Sequence, residues 1–493
     1  MEYIVVLIGI LILLSIFIGI VILGKWVYKK VLTQFASSNK EINTFEQKEN
    51  SMINKSNELG IRFLIIGIIA IIMFIPLGSV SSIVEERNSL YTKVLHNIAS
   101  QWGNPQIVTG PALIVPITEQ YTITEKTKDA NGNEKIHNKV VSKNKNVVIL
   151  PKKLTKNIYL NEHYRYRSIY KSLVYEADMR ISGAFSLPNF AKLSDNLHTV
   201  RYDKAFVVMG LSDTKAIQNV SELSFNENLY AFEPSTVIKI QGIKSGFHAP
   251  IEVNKAQNKY DFNFKLKTKG SSYIRFSAFG EQTDITLKSS WKHPSFQGAI
   301  LPTTRNITKD GFEATWKIPS LARNFPQSWI LEEHVYNVSQ LLTGVDLYEP
   351  VFLYSLVSRS IKYGVLFIVL TFLTFLIFEL TQNSKLHYVQ YGLIGLSLGL
   401  FFLTLLSLSE HMLFLYAYII SSSITLISIS IYTWFNNKDI KQSLSILTML
   451  IALYAILYSL LQLEDYALLM GTSLLLVILF VLMWITRNLK VVK

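Results

Sequence analysis

Nine histidines and not one cysteine bound the chemistry open to this chain. Without thiols there are no disulfides, thiolate metal sites or cysteine nucleophiles. The histidines are His96, His137, His163, His198, His248, His293, His334, His387 and His411. None stands four residues from another with a glutamate between, the arrangement that puts two imidazoles and a general base on one helix face. The run LEEHV around His334 has the acids but lacks the second histidine. No G-x-S-x-G elbow and no phosphate-cradling glycine loop occurs. Asn131-Gly132-Asn133 lacks the spaced acidic ligands of a calcium loop and reads as a tight turn. Triads built from distant residues leave no spacing signature. The residues therefore assign no catalytic group, no cofactor and no metal site.

One stretch does set ionisable groups in apolar surroundings: FFLTLLSLSEHMLFLYAYII, with Glu410 and His411 at its middle. Charge inside a bilayer is costly and marks proton or ion pathways, so the depth of this pair decides its meaning. About twenty apolar residues cross a bilayer as a helix. Seven segments qualify: Tyr3 to Leu23, Phe63 to Ile83, Tyr363 to Leu380, Val389 to Leu408, Met412 to Phe435, Leu444 to Leu461 and Ala467 to Ile485. The fourth and fifth divide at Ser409-Glu410-His411, because together they are about twice one span. Lys25, Lys29, Lys30 and Arg62 lie between the first two spans. Lys385 follows the third, Lys438 and Lys441 the fifth, and Arg487, Lys490 and Lys493 the seventh. The turns at Ser409 to His411 and Gln462 to Asp465 hold no Lys or Arg. The positive-inside rule then makes the basic connections and the C-terminus cytoplasmic, with the segment from Val84 to Arg359 outside. Arg359 and Lys362 flank that long segment, where the rule has little weight. The first span carries its positive charges after it and has no small-residue cleavage site, so it is expected to remain as a membrane helix.

This topology moves Ser409, Glu410 and His411 to an outer turn, with Glu464 and Asp465 in the other one. Ser409 is expected to cap the fifth span's helix and Glu410 to lie in its first turn, where the dipole favours negative charge. The five residues form a candidate outer polar cluster able to face the exterior segment. At the inner side Glu379 ends the third span and His387 opens the fourth, a candidate interfacial pair. A relay would need further acids or bases deep in the spans, and none lies at a depth between the outer Glu410 and the inner Glu379, which argues against a proton relay. Gly392, Gly395 and Gly399 share one side of the fourth span and suit close helix packing. Ser421, Thr425 and Ser428 share a face of the fifth. A polar track is conceivable there, but hydroxyls in membrane helices usually bond their own backbone or a neighbouring helix.

Composition agrees with this division. Hydrophobic residues make up 49% of the 493, against 17% charged, a balance that suggests membrane spans joined to a sizeable polar domain. The net charge of +13 reads first as topology and contact with anionic lipid, with no nucleic-acid partner implied. A basic exterior segment would attract anionic lipid headgroups or wall polymers, but an ordinary solvated surface is the favoured reading, since net charge alone speaks to solubility and weak association. The expected layout is an N-terminal transmembrane helix (1–30), a cytoplasmic connection (31–62), a second transmembrane helix (63–83), an extracytoplasmic β-rich domain with a helical stalk (84–359) and a five-helix transmembrane bundle (360–493). In the stalk Leu90, Val94 and Ile98 recur at helical spacing. Beyond it YTITEKTKDANGNEKIHNKVV reads as a hairpin turning at Asn131-Gly132. YDFNFKLKTKGSSYIRFSAFG repeats that logic, with Phe262, Phe264 and Leu266 on one face and a Lys-Gly turn, and TDITLKSSW and DGFEATWKI continue it. The fold class is thus a membrane α-helical bundle plus a large extracytoplasmic antiparallel, sandwich-like β domain.

Several stretches resemble one known family. They are GPALIVPITE from Gly110, WKHPSF from Trp291, GFEATW from Gly311, VDLYEP from Val345, KYGVLFIVLTF from Lys362 and HYVQYGLIGLSL from His387. LSLSEH from Leu406, LLMGTSLL from Leu468 and TRN from Thr486 complete the set. In this order, from Ile61 to Asn488, they resemble the CreD family of bacterial inner-membrane proteins. The resemblance implies a periplasmic β domain ahead of a bundle of spans. It also implies a role in envelope integrity and stress, under a CreB/CreC-type two-component pathway. It carries no catalytic residues, and Met1 to Gly60 extends beyond the shorter members. The expected function is a non-enzymatic envelope protein whose exterior domain engages membrane lipid, anionic wall polymers or an envelope protein. The alternative is a membrane-embedded enzyme or lipid transporter with a groove between β domain and bundle, lined by Glu410, His411, Glu464 and Asp465. A receptor fits less well, since the cytoplasmic connections are short.

Overall fold

The computed structural model describes residues 60–128, 134–347, 349, 353–382, 386–437 and 440–462, with isolated residues from 469 to 483. The first expected span, the Asn131-Gly132 turn, Glu464, Asp465 and most of the seventh span lie outside the described residues. The chain divides into two compact units, one formed by Tyr91–Pro350 and the other by Met1–Leu90 with Val351–Lys493.

Five helices among the described residues are long and apolar enough to cross a membrane. They are α1 (Gly60–Trp102), α2 (Leu353–Gln382), α3 (Tyr388–Ser409), α4 (Phe414–Asn437) and α5 (Ile440–Gln462). Each coincides with an apolar run read from the sequence, although α2 starts well before Tyr363. The first helix is interrupted by a turn at Met73. Pro76 explains it, because a proline ring collides with the carbonyl one turn back and offers no N–H. The helical bonding resumes around it, with Met73 N donating to Ile69 O at 3.0 Å and Leu77 N to Met73 O at 3.4 Å. Inside the bundle, Phe401 lies 4.8 Å from Tyr454 and 5.6 Å from Tyr418, and Phe367 lies 5.6 Å from Tyr454. Tyr418 donates to the Tyr454 carbonyl, so the polar end of a buried ring is satisfied. Thr425 and Ser428 bond the carbonyls of Ser421 and Ile424, one turn back on their own helix, which leaves these two hydroxyls back-bonded.

Among the described residues the β unit has nineteen strands. In chain order they are β1 (Gln106–Lys128), β2 (Glu134–Ile149), β3 (Lys153–Arg167), β4 (Tyr170–Ser186), β5 (Leu197–Val200), β6 (Phe206–Leu211), β7 (Ile217–Val220), β8 (Leu223–Phe225), β9 (Asn228–Tyr230) and β10 (Glu233–Pro234). They continue with β11 (Gly246–Pro250), β12 (Lys259–Ser271), β13 (Tyr273–Ser277), β14 (Gln282–Ser289), β15 (Pro294–Gly298), β16 (Thr304–Thr308), β17 (Gly311–Pro319), β18 (Ser328–Ile330) and β19 (Leu342–Leu347). A ten-stranded sheet runs β10-β11-β6-β1-β13-β19-β15, with β2, β5 and β18 branching from it. A nine-stranded sheet runs β16-β17-β14-β3-β4-β12-β8-β9, with β7 beside β12. The inner faces of both sheets share one hydrophobic core.

The side chains explain the layering. Tyr260, Phe262, Phe264 and Leu266 of β12 are buried while Asp261, Asn263 and Lys265 alternate outward, so one face must be covered and the other wet. Ala112 to Val115 in β1 are all enclosed, which turns alternation into a continuous apolar run. Burying Trp316 of β17 removes roughly 200 Å² from water, on the order of 5 kcal/mol.

The helices and the two-sheet, mainly antiparallel β unit agree with the expected fold class, with two parallel pairings, β1 with β13 and β3 with β14, inside it. One expectation needs correction. Lys269-Gly270 is not a hairpin turn: β12 runs through it, and the chain turns at Ser272, whose φ is 58°, to enter the other sheet as β13. Gly270 serves close approach instead, since a Cβ there would meet the Tyr175 ring at 2.3 Å. The expected arms of the β1–β2 hairpin do pair, from Lys128↔Glu134 to Leu113↔Ile149.

Candidate functional site

Glu410 lies at the end of α3. Its backbone N–H still donates to Leu406 O, and its φ and ψ of −69° and −19° keep it helical. Contrary to the expectation, Ser409 therefore does not cap the next helix, and Glu410 is not in that helix's first turn. The Ser409 hydroxyl bonds Leu405 O in its own helix, and α4 begins only at Phe414. A carboxylate at a helix C-terminus opposes the dipole. The surroundings offset this: Tyr354 Oη donates to Glu410 at 2.9 Å and Arg87 Nε lies 4.0 Å away. His411 is exposed.

At the other end of the bundle Glu379 is 6% exposed and faces Arg62 of α1, with Nη1 to Oε2 at 3.0 Å. Leu386 N also donates to Glu379, and Arg62 reaches Leu386 O at 3.4 Å and the Tyr388 ring at 5.8 Å. His387 has a different task. Its Nδ1 accepts from Val389 N and its own N–H donates to Gln390 Oε1, a reciprocal cap for α3. The ion pair thus joins residues 317 positions apart, and Arg62 had been legible only as a topology charge. Of the three glycines, Gly395 lies where a Cβ would come within 2.7 Å of Met73 Sδ, and Gly399 faces Pro76 at 3.8 Å. Gly392 has open space beside it.

In the β unit, Glu119 is buried and bonded by Lys145, Tyr121 and Ser194. Burial pushes its carboxyl up, but these donors hold it below the usual carboxylate range. The acids of LEEHV serve the same edge: Glu333 joins Lys145, and Glu332 accepts from both the backbone and side chain of Asn146. Lys156 is wholly enclosed, with Nζ donating to Ser277 O at 3.2 Å, and burial lowers its pKa to about 7. Among the described residues no three His, Asp or Glu side chains converge as metal ligands.

The feature that sequence reasoning missed lies on the outer face of the nine-stranded sheet. Cross-strand register aligns Glu313, Lys288, Tyr159, Asp178, Lys267 and Asn219 in one row. The next row holds Thr315, Thr286, Asn157, Arg180 and Lys265. The rows line a groove of about 610 Å³, bordered also by Ser221. Lys288 is neutralised by Glu313 at 3.0 Å and Lys267 by Glu176 at 3.3 Å. Arg180 and Lys265 stand directly opposite each other, and among the described residues neither side chain has a hydrogen-bond or ion-pair partner. Like charges in register cost stability, so this pair is suited to an anion held between them. Asp178, next to Arg180 on the same face, sets the limit of that field. The outward lysines of NFKLKTKG are readable as an alternating pattern, but which strand lies beside them is not.

A helix bundle of membrane-span length, joined in one chain to a two-sheet β unit with a basic groove, defines a polytopic membrane protein with a large polar domain. The chain belongs to the CreD family: the family model "Inner membrane protein CreD" matches residues 58–492. It is 31% identical over 420 residues to the inner membrane protein CreD of Escherichia coli (strain K12), covering 85% of this chain and 90% of that protein. Among solved structures, an M1 zinc metallopeptidase from Deinococcus radiodurans and a point mutant of it match about 34% of this chain and 38% of theirs. Their sequence identities are 6–7% and TM-scores 0.15–0.16, too low to bear on fold or function.

Proposed function

We propose that this inner membrane protein is a non-enzymatic component that supports envelope integrity under stress. In this reading the β domain lies in the periplasm, the C-terminus is cytoplasmic, and the groove on the nine-stranded sheet holds an anionic wall polymer. The opposed, unneutralised Arg180 and Lys265 carry the proposal. Cation pairs that repel in the free protein are relieved by a carboxylate-bearing chain, while Asn157, Thr286 and Ser221 offer hydrogen bonds along it. Family membership supports the envelope setting. Arg87 and Tyr354 at Glu410 favour a structural use of that carboxylate within the bundle.

The test is co-sedimentation of the full chain in nanodiscs with purified bacterial wall sacculi. Arg180→Glu with Lys265→Glu is expected to abolish retention while the fold is kept, and added salt to weaken it. Equal retention of the double variant sinks the assignment of the groove. Deletion of the gene is expected to sensitise cells to detergent and wall-active antibiotics, and the double variant to fail to restore resistance.

A further inference from the structure

The groove of the nine-stranded sheet has a second component that charge alone does not use. Tyr159 of β3 stands in it, 50% exposed, and also borders a neighbouring hollow of about 290 Å³ toward β16. Among the described residues that line the groove it is the one aromatic side chain. Register fixes what surrounds it. Asp178 lies directly opposite Tyr159, and Arg180, two positions further along β4, is its diagonal neighbour at about 7 Å. Lys265 stands beyond Arg180, opposite it on β12. The ring and the cation pair are thus separated on the scale of one sugar ring.

The outward residues around them are polar. Asn157 and Thr286 lie beside the cation pair, and one step further along the strands Thr155, Ser182 and Asn263 align across β3, β4 and β12. That third row floors a wider hollow of about 1950 Å³ on the same face, about 14 Å from the row of Tyr159. The strands beneath, β3, β4 and β12, are each paired on both sides, so no ladder edge is open there for an extended peptide to join. Apart from Tyr159, the outward side chains that line the groove among the described residues are polar or charged, which gives peptide side chains no apolar pocket. A pyranose meets these groups better. Its C–H face matches an exposed aromatic ring, and its hydroxyl rim matches amides, hydroxyls and the Asp178 carboxylate.

We infer that the groove holds a glycan strand of carboxylate-bearing pyranose rings, one ring stacked on Tyr159 with its carboxylate between Arg180 and Lys265. The inference names the class of anionic polymer and rests on the proposed function for the role of the cation pair. Asp178 repels a carboxylate but accepts ring hydroxyls, so it keeps the acid group on the Arg180 side. Thr155, Ser182 and Asn263 take the hydroxyls of the rings that follow.

The test compares two polyanions of equal charge on the full chain in nanodiscs. One is an oligogalacturonate, whose carboxylates sit on pyranose rings; the other is a poly-glutamate, which has no sugar. The oligogalacturonate should bind more tightly. Tyr159→Ala should weaken it about tenfold and leave poly-glutamate unchanged, while Tyr159→Phe, which keeps the ring face, should bind like the native chain. Equal affinity for the two polymers, or an oligogalacturonate affinity that Tyr159→Ala does not change, overturns the inference and leaves a groove that reads charge alone. Arg180→Glu with Lys265→Glu should abolish binding of both. Binding of both that survives this double variant sinks the groove assignment itself, so the two failures are read separately.

Discussion

Replacing Lys156 with methionine should make the β unit more stable at neutral pH and less stable at alkaline pH. Lys156 is fully enclosed, and burial lowers its pKa to about 7 from an ordinary value of about 10.4. Between those values the unfolded chain holds the proton more tightly than the folded one. Stability therefore rises with pH across that window, and the cost of the buried amine is fully present below about 7. Three to four powers of ten in proton affinity correspond to ~4–5 kcal/mol at neutral pH. Methionine conserves volume and removes that cost, but it leaves the Ser277 carbonyl without the Nζ donor seen at 3.2 Å, a loss of about 1–3 kcal/mol. The first effect wins at neutral pH by roughly 2–3 kcal/mol, or ~5–10 °C for a unit of this size. Near pH 10 the amine costs the wild type little, and only the lost hydrogen bond remains, so the order reverses. Thermal unfolding of the full chain, followed by tryptophan fluorescence at both pH values, reads the crossing. A variant that melts lower at both, with an unchanged pH profile, would refute the reasoning and show Lys156 to be a paired cation.

Glu379→Gln, which leaves Arg62 buried beside a neutral partner, should destabilise the bundle by about 3–5 kcal/mol, seen as a lower melting point in nanodiscs; charge reversal of both residues should recover part of it. In α3, Gly395→Leu should cost about 1–3 kcal/mol by overpacking against Met73 and Phe372, whereas Gly392→Ala, facing open space, should be neutral or slightly stabilising in the same assay. Glu119→Gln should destabilise the β unit at neutral pH and shrink the acid side of its stability profile. The native carboxyl is held below its usual range, so its contribution is present above the unfolded value and is lost as pH falls through the folded one.

The bundle was readable because membrane helices are selected one at a time. Each needs only about twenty apolar residues in a row, so α1 and α2 to α5 followed from local composition. The strands of the β unit were readable for a similar reason, since alternation in YDFNFKL reports a half-buried face wherever that strand sits. Partners were not. The Lys-Gly of β12 looks like a turn until Tyr175 is known to lie opposite Gly270. Ser409 looks like a cap until α3 is seen to run on through Glu410. Arg62 and Glu379 lie too far apart in the chain for any spacing rule to join them, and Arg180 faces Lys265 only because β4 pairs with β12 in one register. By itself the sequence determined which segments are apolar, which alternate and where charge accumulates, because those properties live within a few residues. Which charges meet, which are neutralised and which stand opposed was decided only by tertiary structure, because those energies depend on distances between strands and helices that no local pattern encodes.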